Sequence, residues 1–163
     1  MDTLTKRSRL NDRGQAVIEM ALTLPLLLLV VFGIFDFGFM FQRYEVVTNA
    51  AREGARLGVL PQYNALEARS RALDYLETGG VIGGPVAAGG CPAARTISPG
   101  SICADLSEQV VDVVGSTPVK TVQQVTMVVE FDHEHAFVGP IMSLFGGSLG
   151  TVRLRAVSIM RKE

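Results

Sequence analysis

The stretch RGQAVIEMALTLPLLLLVVFGIFDFGFMF, residues 13–41, decides the fold of this chain, because it is long and apolar enough to cross a bilayer. Its only acids are Glu19 and Asp36, and a bilayer span needs about 20 mainly apolar residues. Pro25 removes one backbone donor, which a membrane helix tolerates better than a soluble helix does. A cleaved signal peptide fits less well, since its apolar region should cover only about 7–15 residues. The stretch therefore predicts a membrane-spanning helix.

The charges that flank this helix predict its orientation. Four basic residues precede the apolar run and three follow it, of which only Arg43 lies close to the far side. Because cytoplasmic flanks carry an excess of Lys and Arg, we expect the N-terminus inside and the C-terminal part outside. An oxidising compartment allows disulfides to persist, so Cys91 and Cys103 are expected to pair. Two unpaired thiols are the alternative.

The totals for the whole chain weigh against several classes of protein. It has 163 residues and a net charge of −1, so nothing indicates a nucleic-acid surface. His133 and His135 are its two histidines. With Asp132 or Glu134 they could bind a metal, but no third separated ligand is apparent and a polar hairpin end explains the run equally well. A membrane-tethered hydrolase would need a nucleophile motif that is not present. We therefore expect no enzyme, metal site or cofactor.

The two acids of the apolar run need a physical account. A carboxylate in hydrocarbon is costly and is retained only with a partner or near the surface. Glu19 is either a shallow acid that reaches the headgroups or one member of a charge pair. Asp36, near the other end of the run, is either a shallow surface acid or a partner contact.

A combination of motifs resembles one family. Residues 13–58 resemble the TadE-like proteins, the pseudopilins of tight-adherence (Tad, or Flp) pilus systems, and the ending RLRAVSIMRKE is similar in character. Any one of the motifs would be weak, but together they are specific. They are Gly-x4-Glu at Gly14 and Glu19, Leu-Pro-Leu-Leu, Gly-x-x-Asp-x-Gly at Gly33, Asp36 and Gly38, and Asn-Ala-Ala-Arg-Glu-Gly-Ala-Arg at 49–56.

The resemblance implies a type IV prepilin-type leader. A membrane prepilin peptidase would cut after Gly14, so that Gln15 becomes the new N-terminus. An α-amino group titrates near 7.7–8.0, about one unit above neutrality. Glu19 would then pair with a positive amine, either its own or that of a neighbouring subunit.

The resemblance also implies where the protein acts. Its partners would be the peptidase, the major Flp pilin, a related second pseudopilin, the inner-membrane pilus platform and the lipid bilayer. Major Flp pilins are far shorter, so this chain resembles a minor component. We expect a single-pass protein of the cytoplasmic (inner) membrane that takes part in pilus assembly. The alternative is an unprocessed single-span protein of the same family, used in envelope assembly or secretion.

The helix is expected to continue beyond the membrane, through residues 42–60. A stripe of small residues at four-residue spacing lies on one face of it, and such faces let backbones approach closely. The stripe is either a contact ridge for a partner helix or a surface for the protein's own packing. Its members are Ala50, Ala51, Gly54, Ala55 and Gly58.

The predicted fold class is α+β, in three segments: a leader at 1–14, the membrane helix and its extension at 15–60, and a small pilin-like exported domain at 61–163. Asn64 and Glu67 predict a capped second helix that ends near Glu77. A Gly- and Pro-rich loop follows at 78–101. Three or four antiparallel strands are expected from period-two alternation, and the apolar segment 137–147 either caps the sheet core or presents a partner or membrane surface. The strands are predicted at 109–114, 122–132 and 151–161.

Overall fold

The computed structural model describes residues 3–81, 90, 91, 98–113, 115, 121–144 and 146–162, with side chains from Gly14 onward. The chain divides into two compact units, Met1–Gly38 with Ala136–Leu149, and Phe39–His135 with Gly150–Glu163. The elements in chain order are α1 (Thr3–Gly58), α2 (Ala65–Thr78), β1 (Ile102–Asp112), β2 (Thr121–His133), α3 (Val138–Leu144) and β3 (Val152–Lys162).

The first unit contains the apolar half of α1 and the short helix α3. Pro25 lies inside α1 without ending it. Among the described residues, one helical segment, Gly14–Gly58, is long and apolar enough to cross a membrane. Its most apolar part buries nothing within the protein, which is what a lipid-facing helix requires. None of the residues of α3 is buried.

The second unit is a three-stranded antiparallel sheet in the order β1-β2-β3. The central strand β2 pairs with both neighbours, placing Ile102 beside Phe131 and Phe131 beside Leu154. The last part of α1 and helix α2 contribute small buried side chains to the same core. That core includes Val47, Ala51, Ala55, Ala68, Ala72, Leu76, Met127, Val129 and Phe131. The predicted α+β class, with a long helix, a second helix and three strands, is confirmed.

The start of α2 follows the predicted capping pattern. The Asn64 side chain accepts a hydrogen bond from the Glu67 backbone N–H at 2.9 Å, and the Glu67 carboxylate accepts one from the Asn64 N–H at 2.8 Å. This reciprocal arrangement satisfies two donors that the first turn would otherwise leave unpaired. Helix α2 then buries Ala68, Ala72 and Leu76 on one face.

The strands differ from prediction mainly in β1. Residues 109–114 were the predicted strand, whereas β1 begins at Ile102 and ends at Asp112. Its first three residues, through Ala104, are all buried, so they lack the alternation that marks a half-buried strand. In β2 the alternation is clear, since Val125 and Met127 are buried and the residues between them are more exposed. Much of the predicted loop 78–101 lies outside the described residues.

Within the predicted apolar segment 137–147, residues Val138–Leu144 form α3, and a turn at Gly146 and Gly147 follows it. The structure groups α3 with the apolar part of α1 in the first unit. The turn after α3 is closed by two hydrogen bonds, from Gly146 N–H to Ser143 O and from Gly147 N–H to Met142 O. Gly146 adopts a positive φ of 75°, which an L side chain adopts only with strain. This is the Schellman arrangement that ends helices.

Candidate functional site

The predicted processing site lies on the exposed surface of α1. Helix α1 continues through Gly14 and Gln15 without a break, and both residues are exposed. Among the residues whose side chains are described, a Cβ atom added at Gly14 would meet nothing within 4 Å. The described part of the chain therefore leaves room for a larger residue at this position.

Glu19 lies one helical turn beyond Gln15 and is exposed. The backbone carbonyl of Glu19 accepts a hydrogen bond from the Thr23 hydroxyl at 2.9 Å, which leaves its carboxylate uninvolved in that contact. Among the described residues, no ion pair to Glu19 is formed. The apolar side chains that follow it are also open, with Leu22 73% and Leu26 68% exposed.

Asp36 is only 2% exposed and holds the start of α3. Its carboxylate accepts hydrogen bonds from the backbone N–H groups of Ala136 at 3.1 Å, Phe137 at 3.1 and 3.2 Å, and Val138 at 2.7 Å. A carboxylate at a helix N-terminus satisfies donors and complements the positive end of the helix dipole. The Phe32 and Phe137 rings stack beside it, with centroids 5.7 Å apart.

Of the two alternatives for Asp36, the structure supports a contact, and this contact is made with the protein's own chain. Its partners lie 100 to 102 residues further along the chain, so no local pattern around Asp36 indicates them. The one available signal is that residues 136–150 carry no charged side chain. An acid in one apolar segment and an uncharged segment elsewhere do not by themselves predict a contact.

The stripe of small residues is used within the second unit. All five members are buried. A Cβ atom at Gly54 would approach the Met127 side chain to 2.6 Å and the Ala68 carbonyl oxygen to 3.1 Å. A Cβ atom at Gly58 would approach Leu106 to 2.5 Å. The glycines thus allow α1 to lie directly against α2 and the sheet, and this face of α1 is occupied by the protein's own chain.

Cys91 and Cys103 are joined by a disulfide, with Cα atoms 5.3 Å apart. Together with Glu130 they form the one described cluster of three potential metal ligands. Sulfur atoms bonded to each other are not thiolates, however, and the thiolate is the form that binds metal. The pair thus ties residue 91 to strand β1 and offers no metal site in this state.

A buried ion pair lies close to the disulfide. Asp132 is fully buried and accepts hydrogen bonds from Arg153 Nε at 2.8 Å and from the Ser98 backbone N–H at 3.0 Å. The hydrogen bond to Asp132 raises the pKa of Arg153 above its ordinary value, against the opposing effect of burial. Glu130 adds a second acid, 3.7 Å from Arg153 Nε and 3.4 Å from Arg155 Nε. Buried charges are tolerated when they are paired in this way.

The two histidines lie together at the end of β2. His133 is 1% exposed, and its Nδ1 atom lies 2.9 Å from Nη1 of Arg43. Because a guanidinium group only donates, Nδ1 must be the acceptor and is not available to a metal. The Arg43 guanidinium also lies 5.6 Å from the centre of the Phe131 ring. His135 meets His133 edge to face, with centroids 5.4 Å apart. This cluster packs the end of β2.

Residues 14–56 match the profile of the TadE-like protein family. This segment is TadE-like. The match confirms the resemblance predicted from the sequence, and it begins at Gly14 and ends two residues before α1 does. No curated protein and no solved structure matches the chain. The TadE-like match and the candidate membrane helix together fit a single-pass membrane protein associated with a Tad pilus.

Proposed function

We propose that this TadE-like protein is a membrane-anchored minor pseudopilin that takes part in assembly of a Tad/Flp-type pilus. The observation that carries the proposal is that the family match begins at Gly14 and covers a helix whose apolar side chains are exposed. Its partners would be the prepilin peptidase, the major Flp pilin, a related second pseudopilin and the inner-membrane platform. The proposed role is structural, and no catalytic residue is assigned.

The first proposed step is cleavage after Gly14. The leader 1–14 would lie in the cytoplasm, and the exported domain 61–163 would lie outside the inner membrane. Exposure of Gly14 and Gln15 is consistent with access by a peptidase. The second candidate is an unprocessed single-span assembly protein of the same family.

The second proposed step is charge pairing by Glu19. After cleavage the Gln15 amine would lie four residues before Glu19, about 6 Å along the helix axis. The Glu19 carboxylate could therefore pair with this amine or with the amine of an adjacent subunit. Either pair would remove an isolated charge from the edge of the hydrocarbon, where a lone charge is costly.

The proposed association surface is the exposed apolar part of α1 rather than the small-residue stripe. Packing of Gly54 and Gly58 against α2 and the sheet leaves that stripe to the protein's own core. Residues such as Leu22 and Leu26 remain exposed, and in a membrane they would contact lipid or neighbouring helices.

Cleavage is tested by the intact mass and N-terminal sequence of membrane-extracted protein from cells that contain the peptidase. The expected mature protein starts at Gln15, and Gly14→Leu should keep the full mass because bulk before the cut should not fit the peptidase. Gly33→Leu is the matched control, since Gly33 lies in the same helix and also has open space around it. An intact Met1 in the natural protein would refute cleavage and support the unprocessed alternative.

Charge pairing is tested by Glu19→Ala. We expect insertion into the membrane to be unchanged and pilus assembly to fall by about tenfold, which corresponds to about 1.4 kcal/mol. Glu45→Ala removes an exposed acid from the same helix beyond the apolar run and should leave assembly intact. Normal filament yield in Glu19→Ala would rule out the pairing role.

A further inference from the structure

We propose that residues 136–144 and 146–149, which contain α3, form a second membrane contact that inserts into the outer leaflet beside α1. This segment is called the interfacial segment below. The inference rests on the proposed function, because it requires α1 to span the membrane. It adds a lipid-binding surface that neither the family match nor the membrane helix implies.

The first argument is depth. Glu19 and Asp36 are 17 residues apart, which corresponds to about 26 Å of helix at 1.5 Å per residue. The hydrocarbon core of a bilayer is about 30 Å thick. When Glu19 lies at the inner boundary, Asp36 therefore lies at or just inside the outer boundary. The hydrogen bonds that the Asp36 carboxylate accepts from the N–H groups of Ala136, Phe137 and Val138 hold the interfacial segment at the same depth.

The second argument is composition and exposure. Residues 136–150 carry no charged side chain, whereas charged residues resume at Arg153. Among the described residues of the segment, three large apolar side chains are exposed: Leu144 is 87% exposed, Leu149 44% and Phe137 40%. A short uncharged segment with open apolar side chains is suited to the boundary between headgroups and acyl chains. In water the same exposed apolar surface would favour aggregation.

The third argument is that backbone groups at both ends of α3 have hydrogen-bond partners within the protein. In lipid the backbone groups at helix ends cannot turn to water and need partners within the protein. Asp36 accepts the donors at the start of α3, and the turn at Gly146 and Gly147 satisfies carbonyl groups at its end. Pro140 has no N–H to satisfy, and the Ser143 hydroxyl donates to the Pro140 carbonyl at 2.7 Å. A seven-residue helix whose ends are hydrogen-bonded in this way can enter a region with little water at a lower cost in unpaired backbone groups.

Tryptophan fluorescence tests the inference directly, because the natural chain contains no tryptophan. Leu144→Trp places the probe on the interfacial segment. Phe35→Trp reports α1, where Phe35 is 54% exposed, and Leu66→Trp is the control on α2, where Leu66 is 71% exposed. Each full-length variant is reconstituted into phosphatidylcholine vesicles. Quenching is measured with brominated phosphatidylcholine and with aqueous acrylamide.

We expect brominated lipid to quench both Leu144→Trp and Phe35→Trp, but not Leu66→Trp. The acrylamide quenching constant of Leu144→Trp should be about threefold lower than that of Leu66→Trp, because an interfacial side chain lies about 5–10 Å into the headgroup and acyl boundary. Leu149→Trp probes the same segment at a second position and should behave as Leu144→Trp does.

Three results would overturn the inference. Acrylamide quenching of Leu144→Trp equal to that of Leu66→Trp, with Phe35→Trp still quenched by lipid, would place the segment in water and leave the membrane anchor standing. Protection of Leu144→Trp from both quenchers would mean that it packs against protein. Absence of lipid quenching in Phe35→Trp would remove the anchor itself and the inference with it.

Discussion

Replacing Asp36 with alanine removes the acceptor for the backbone N–H groups of Ala136, Phe137 and Val138. Hydrogen bonds to a charged group contribute about 1.5–3 kcal/mol each, but they are not additive when one carboxylate serves several donors. A lost helix cap costs about 1–2 kcal/mol on its own. We therefore expect the free energy that holds the start of α3 to fall by about 2–3 kcal/mol, between these limits.

The effect should be local and is best measured by amide hydrogen exchange. A loss of 2–3 kcal/mol corresponds to an increase of about 30- to 150-fold in local opening. Mass spectrometry of the full-length protein in lipid nanodiscs should show this increase in peptides that cover residues 136–144. Peptides from the sheet should exchange at the natural rate, because the Asp36 carboxylate accepts its hydrogen bonds from Ala136, Phe137 and Val138, which lie outside the strands.

Two further variants separate the cap from a general effect of charge. Asp36→Asn keeps one acceptor oxygen and should give a smaller increase in exchange than the alanine variant. Glu19→Ala removes the other acid of the apolar run and should leave residues 136–144 unchanged. Unaltered exchange of this segment in Asp36→Ala would refute the assignment of Asp36 as its cap.

Two predictions concern the second unit and use unfolding of the full-length protein in detergent, followed by circular dichroism. Gly54→Ala would place a methyl group 2.6 Å from the nearest side chain. Overpacking of this kind costs about 1–3 kcal/mol, whereas alanine gains about 1 kcal/mol over glycine in a helix. Because the cost should exceed the gain, we expect the unfolding temperature to fall. Gly33→Ala, with open space around it, should not lower it, and equal shifts would contradict the packing argument. Arg153→Met leaves the Asp132 carboxylate buried without its guanidinium partner and should cost about 3–5 kcal/mol in denaturant. The exposed Arg161→Met is its control, and matching losses would show that the buried pair contributes nothing specific.

The buried polar groups of the second unit suggest why it needs both the ion pair and the disulfide. The sheet has only three strands, and much of its core consists of alanine. A small core of this kind supplies limited hydrophobic stabilisation. The Asp132–Arg153 pair and the Cys91–Cys103 bond both hold the segment before β1 onto the sheet. Added cross-links compensate for a small core in many exported domains.

The sequence by itself determined the features that depend on neighbouring residues. An uninterrupted apolar run specifies a helix that suits a bilayer, whatever the rest of the chain does. Asn64 and Glu67 are three residues apart, so their capping box can be predicted from local geometry. Period-two alternation identified β2 and β3, because in the first part of β2 and in β3 one face is more buried than the other.

Only the tertiary structure decided the features that depend on distant contacts. The start of β1 was missed because Ile102, Cys103 and Ala104 are buried on consecutive positions, which removes the alternation. The four-residue spacing of the small-residue stripe is the same for a contact with a partner helix and for a contact with the protein's own sheet. Only the packing of α2 and β2 against Gly54 shows that the contact is internal. Asp36 finds its partners about 100 residues away. Whether Asp36 is exposed or buried depends on which segment the fold places beside it, and the residues around Asp36 in the sequence do not indicate that segment.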